Sequence, residues 1–229
     1  MNTKQALARI GAISALIGAI LLLVGTFLHP IHADPNIPAE AFAEYAANQV
    51  WLLSHLTQFF GVFALCLGFT AFSKTFEAGY ASAWARFGLL GTAALVAISA
   101  ALQAVDGVAL KFMVDHWAGT TGEAQKVIFE AAFAVRQMEI GLASLFSITS
   151  GVTGLLFGLA LLSSKRYPKW LGWLGFLNGV GMIVSGIIQG STGFSGTAMD
   201  WSMTTSIVLL IWVFIVSVFM WRLVPVLTE

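Results

Sequence analysis

The sequence predicts an all-α fold, a polytopic transmembrane bundle of six helices with both termini cytoplasmic. Three observations carry that expectation. Hydrophobic residues make up 58% of the 229-residue chain and charged residues only 10%, against roughly 25% charged in soluble domains. Six separate stretches approach the ~20 apolar residues that a membrane crossing needs. Lys and Arg also fall unevenly between alternate loops, which is what sets orientation in a bilayer.

Residues 10–28 form the first span. Their apolar run exceeds the roughly 7–15 residues of a signal-peptide core, and no A-x-A pattern follows, so the segment reads as a retained helix. An outer loop, residues 29–49, comes next. Pro30, Pro35 and Pro38 keep its start extended, because proline lacks the N–H that a helix interior needs. From Ala39 the chain can be helical and run straight into the second span, residues 50–72. The third span covers residues 87–105 and leads to a second outer loop, residues 114–139. There Thr120 and Glu123 fit a capping box, so a helix is expected to start and continue into the fourth span, residues 140–162. Lys126 and Glu130, at i,i+4, would support it mildly. Spans five and six are residues 170–189 and 202–221. The whole chain, 1–229, reads as a single transmembrane domain.

Small residues line two of these spans. Ala143, Ser147, Gly151, Gly154 and Gly158 recur at helical spacing in the fourth, and Gly172, Gly175, Gly179, Gly186 and Gly190 in the fifth. Such faces let transmembrane backbones approach closely, which predicts packing within the chain.

With the spans alternating, Lys4, Arg9, Lys74, Arg86, Lys165, Arg166, Lys169 and Arg222 share the side of the termini, and only Lys111, Lys126 and Arg136 face the other. The excess places the termini inside, in a plasma (inner) membrane. Trp51, Trp84, Trp117, Trp170, Trp201 and Trp221 lie near span ends, where amphipathic rings favour the headgroup layer.

Composition and missing motifs exclude several chemistries. Eleven basic residues balance eleven acidic ones, so no net field draws the chain to nucleic acid. Cys66 is the single cysteine, which rules out an intramolecular disulfide and a multi-thiolate zinc site; as a buried free thiol it reads as a packing residue. The chain contains no C-x-x-C-H, H-E-x-x-H, P-loop, G-x-G-x-x-G or nucleophile elbow.

The polar residues carry more information. Ionisable groups in a bilayer are costly and mark functional sites by default. All four histidines, His29, His32, His55 and His116, fall on the outer side, together with most of the carboxylates. His55 lies about 7 Å along its helix at 1.5 Å per residue, and Gln58 follows on the same face. Gln103 and Asp106 share a face near the outer end of the third span, His29 closes the first, and Glu139 opens the fourth beside Arg136. These groups lie at one depth, so they define a candidate outward-facing His/Gln/carboxylate site.

Imidazole is both the commonest metal ligand and a usual haem axial ligand. His29 and His55, on consecutive antiparallel helices, are candidate ligands for haem b or a divalent metal. Gln58, Gln103, Asp106 and Glu139 would then orient the imidazoles, as outer partners of ligating histidines do. A second arrangement groups His29, His32 and Asp34 into a metal clip in the first outer loop.

The segment Ser164-Lys165-Arg166-Tyr167-Pro168-Lys169-Trp170-Leu171-Gly172-Trp173-Leu174-Gly175, leading into Gly179, resembles a signature of an uncharacterised family of small six-helix bacterial integral membrane proteins. In that family a short basic loop and a proline precede an L-G-x-L-x-x-x-x-G helix. Residues 87–105 loosely resemble its middle helix. The resemblance implies a compact six-helix bundle in a bacterial inner membrane and brings no catalytic residues.

Three functional expectations follow. The first is a cofactor- or metal-binding membrane protein with redox chemistry at the outer site. The second is a non-catalytic accessory or lipid-binding subunit, with a larger membrane complex or a second copy of the chain as partner. The third is a small transporter, which the absence of any mid-membrane charge or proline disfavours.

Overall fold

A computed structural model describes residues 1–227. Its elements are α1 (Thr3–Leu28), α2 (Pro38–Ala47), α3 (Trp51–Ser73), α4 (Tyr80–Gln103), a π-helical segment (Ala104–Leu110), α5 (Lys111–Ala118), α6 (Glu123–Ser163), α7 (Lys169–Thr192) and α8 (Gly196–Leu223), then a short 3₁₀ turn (Val224–Val226). Six helical rods are long and apolar enough to cross a membrane, one of them running unbroken from Tyr80 through the π segment to Ala118. The fold is therefore all-α, with the composition of a polytopic membrane bundle.

Two sequence expectations are corrected. Helix α2 does not run into α3. Asn48 Oδ1 accepts the Val50 N–H at 2.9 Å, a local bond that competes with helix continuation. The helix expected to start near Thr120 and continue into the fourth span is present as α6, and α5 ahead of it runs to Ala118, which leaves a turn at residues 119–122. Finally, Thr120 does not cap α6. Its hydroxyl donates back to His116 O; Gly122, at φ 71°, is the N-cap, and Lys126 pairs with Glu123 at 2.7 Å instead of Glu130.

Two small-residue seams hold the rods together. The α6–α7 seam is the one read from the sequence. A Cβ on Gly151 would lie 2.5 Å from Gly179 O, and one on Gly186 would lie 2.7 Å from Ser144 O. The α1–α3 seam was not read, although Gly11, Gly18 and Gly25 recur every seven residues against Gly61 and Gly68. There a Cβ on Gly18 would lie 2.7 Å from both Gly61 O and Leu65 N. Ser54 closes the outer end of this seam by donating to Gly25 O at 2.7 Å.

The main apolar cluster joins α1, α3, α4, α6, α7 and α8 around Phe72, Phe157, Leu161 and Trp212. Trp212 Nε1 donates to Leu171 O at 2.9 Å, so this buried indole is satisfied. The two termini lie together: Asn2 Nδ2 donates to Leu227 O, and Ala8 packs on Val224 and Leu227. On the same end Glu77 clamps the connection between α6 and α7. It accepts from Ser164 Oγ and from the Lys165 N–H, while Arg166 donates to Thr75 O at 2.7 Å. Burial pushes the Glu77 pKa up, but these bonds outweigh it and hold the carboxyl below its ordinary value.

At the opposite end, Phe42 and Tyr45 of α2, Trp51, Leu110, Val114 and Ala132 form a second apolar cluster that roofs the bundle. Lys111 fixes α2 there by donating to Tyr45 O and Ala46 O, each at 3.0 Å. A lysine at these carbonyls satisfies acceptors that a helix C-terminus leaves open.

Candidate metal centre

Two close helix contacts assemble the site. The α1–α3 seam carries His29, just past Leu28, to within 5.2 Å of the His55 ring, centroid to centroid. On the other side, the π-helical segment brings Asp106 over α3. A π turn holds an extra residue and re-aims the side chains on it. Gly107 permits the approach, since a Cβ there would lie 2.7 Å from His55 Cβ. Trp51 Nε1 donates to Asp106 O at 3.3 Å and ties the segment to the start of α3.

His29, His55 and Asp106 each offer one ligand atom, and these atoms all lie within 4.8 Å of one another. His55 is 1% exposed and Asp106 14%. Among the described residues this is the group of three or more His, Cys, Asp or Glu side chains with metal-ligating proximity. Trp51 and Tyr45 wall it, with ring centroids 5.1 and 6.3 Å from that of His29.

Hydrogen bonding fixes how the imidazoles present themselves. His55 Nδ1 lies 2.7 Å from Trp51 O, and His29 Nδ1 lies 2.9 Å from Pro30 O. A carbonyl oxygen only accepts, so Nδ1 carries a proton in both rings. Each Nε2 is thereby the nitrogen left to face the cluster. His55 Nε2 meets Asp106 Oδ2 at 3.0 Å, while Asp106 Oδ1 is buried with no hydrogen-bond partner. A buried carboxylate oxygen without a donor is one that a bound cation would satisfy.

The other expected site residues lie elsewhere. Gln58 and Gln103 sit one helical turn from His55 and Asp106 on the side toward the bundle centre, and Gln103 Nε2 donates to Gln58 Oε1 at 3.4 Å. Glu139 is buried on α6 and accepts from Arg136 at 3.1 Å. Arg136 also donates to Pro35 O and lies over the rings of Tyr45 and Phe194, so this pair is enclosed and not on a wet face. Among the described residues His29, His32 and Asp34 do not form a group with metal-ligating proximity. In that loop the His32 N–H donates to Glu44, and Asp34 Oδ1 accepts from Asn36 N. Nor does Asp106 pair with Lys111 or Arg136: Lys111 pairs with Asp115 at 2.7 Å.

Gly107, Trp51 and Tyr45 were missed as parts of the site. The glycine's signal was its place next to the one carboxylate of the third span; Trp51 read only as an interface anchor, and Tyr45 carried no signal. Gly107→Ala is expected to displace His55 and weaken metal binding by roughly tenfold, the low end for a lost supporting contact. Circular dichroism should show the helices intact. Unchanged metal affinity would mean that the π segment adapts freely.

The fold and site together define a six-rod, membrane-type helical bundle that carries a buried His/His/Asp cluster able to coordinate a metal ion. Comparison with protein families, curated proteins and solved structures finds no match for this chain.

Proposed function

We propose that this is an integral membrane protein that binds one divalent metal ion through His29, His55 and Asp106 at the outer end of its bundle. The observation that carries the reading is the set of fixed Nδ1–H bonds: two backbone carbonyls hold both imidazoles with Nε2 toward a carboxylate whose second oxygen is orphaned. Ligating histidines characteristically give their other N–H to a carbonyl or carboxylate. Two imidazoles and a carboxylate suit zinc, iron or manganese and leave coordination positions for water or substrate. Haem fits less well, because the Asp106 carboxylate stands against His55 Nε2, where an axial iron would have to sit. The ion's identity decides between redox and Lewis-acid chemistry.

Elemental analysis of the purified protein is the direct test. About one equivalent of a first-row divalent metal is expected, retained through gel filtration. Protein that carries none, and takes up none when Zn²⁺, Fe²⁺ or Mn²⁺ is added, would end the metal reading.

The excess of Lys and Arg at the terminal end supports an outward site and cytoplasmic termini. All three basic residues at the opposite end, Lys111, Lys126 and Arg136, are engaged in capping or ion pairing. The resemblance of residues 164–179 supports a bacterial inner membrane. In intact cells Thr121→Cys should react with an impermeant maleimide and Ala78→Cys should not. The reverse pattern would invert the topology. Native Cys66 is buried and should stay silent.

A further inference from the structure

A cavity of about 210 Å³ lies at the centre of the bundle, lined by residues from all six long rods. Its walls are mainly apolar, with Leu65, Phe146, Leu209 and Trp212 among them. Gln58 and Gln103 stand in its lining, at the end that leads to the metal centre, one turn from His55 and Asp106. Gln103 spends its amide nitrogen on Gln58, and its Oε1 is buried with no partner. The apolar walls and the Gln58–Gln103 amide pair at one end call for complementary things: an apolar chain and a polar head that hydrogen-bonds to an amide.

We infer that the cavity binds a single-chain amphiphile, its hydrocarbon tail among α1, α3, α4, α6 and α8 and a hydroxyl or N–H head hydrogen-bonded to the Gln58–Gln103 amide pair. The head then lies one helical turn from His55 and Asp106. Its placement beside a metal ion rests on the metal reading; the binding itself does not. A long, neutral head-bearing chain is the substrate class this geometry selects. Diacyl lipids present two tails to a space enclosed by six rods. Charged heads would meet neutral amides with no counter-ion on the cavity wall.

The test uses the full-length protein in nanodiscs and a photoreactive diazirine analogue of hexadecanol, with a diazirine hexadecane as control. Labelling by the alcohol is expected at cavity residues, and unlabelled hexadecanol should compete for it. Gln103→Leu should reduce alcohol labelling roughly five- to tenfold, as for one lost hydrogen bond, and leave alkane labelling unchanged. Ser150→Phe should fill the cavity and abolish both. Because a filling variant can misfold, gel filtration and metal content are measured on each sample. Equal labelling by alcohol and alkane, or no effect of Gln103→Leu in a folded sample, would overturn the inference by reducing the cavity to a place where any tail lodges. Metal bound without labelling removes the amphiphile and keeps the metal; alcohol-selective labelling of metal-free protein does the opposite.

Discussion

His55→Ala is expected to strip the protein of its metal, by more than the roughly 10–100-fold that loss of a ligand's outer hydrogen-bond partner brings. His55 is 1% exposed and lies between Trp51 O and Asp106, so no other side chain can take its place without moving a helix. His29→Ala should lose a large part of the metal, and Asp106→Asn should do the same with the side-chain shape kept. His32→Ala, Asp34→Ala and His116→Ala should bind as the parent does. Chelator competition on each purified variant reads the affinities. Should the first three variants keep their metal while His32→Ala and Asp34→Ala lose it, the centre would be in the outer loop. His55→Ala leaves a buried void and an unpaired carboxylate, so Asp106→Asn is the cleaner control for folding.

The second large effect is on stability. Gly18→Leu should destabilise the bundle by about 3 kcal/mol or more, at the upper end for overpacking. The new Cβ would lie 2.7 Å from two backbone atoms of α3, and backbone cannot rotate aside as a side-chain tip can. Separation of α1 from α3 also draws His29 from His55, so metal affinity should fall with stability. Gly141→Ala provides the contrast. Nothing lies within 4 Å of its Cβ position, and alanine in a helix interior should stabilise it by up to about 1 kcal/mol. Thermal unfolding in detergent, followed by tryptophan fluorescence, separates the two. Equal melting temperatures for Gly18→Leu and the parent would show that the α1–α3 seam yields.

The six rods were legible because apolar length is a one-dimensional property. The α6–α7 seam was legible for a related reason: Gly151, Gly154 and Gly158 announce close approach by spacing alone. His29 and His55 were recognisable from depth, and Asp106 as the best-placed membrane carboxylate. What the sequence hid was convergence. Glu139 has the same depth as Asp106 yet turns to Arg136, because two charges on one helix face at i,i+3 satisfy each other first. The π segment was invisible, since one extra residue in a turn leaves no mark on apolar periodicity over residues 104–110. The continuation of the helix from Val105 to Ala118 was hidden as well, because loss of apolarity looks the same as loss of a helix. The residues from Lys111 to Ala118 are polar in part and helical nonetheless.

The rods Tyr80–Ala118 and Glu123–Ser163 are longer than a bilayer crossing needs. A hydrocarbon core is about 30 Å thick, and the rise from Phe87 to Asp106 is about 28 Å. A bilayer seated on that stretch would end at the His29, His55 and Asp106 cluster, and the remaining rise from Asp106 to Ala118, about 18 Å, would stand clear of the acyl chains. The roof formed by Phe42, Trp51, Leu110, Val114 and Ala132 would then be held by the expulsion of water. The core around Phe72, Phe157 and Trp212 would lie among lipid tails, where that force is absent between helices and packing alone acts. Urea and guanidinium weaken the first kind of cohesion by solvating apolar and peptide groups, while the bilayer keeps them from the second. The shelter over His29 therefore loosens in aqueous denaturant at concentrations that leave the rods beneath it in place.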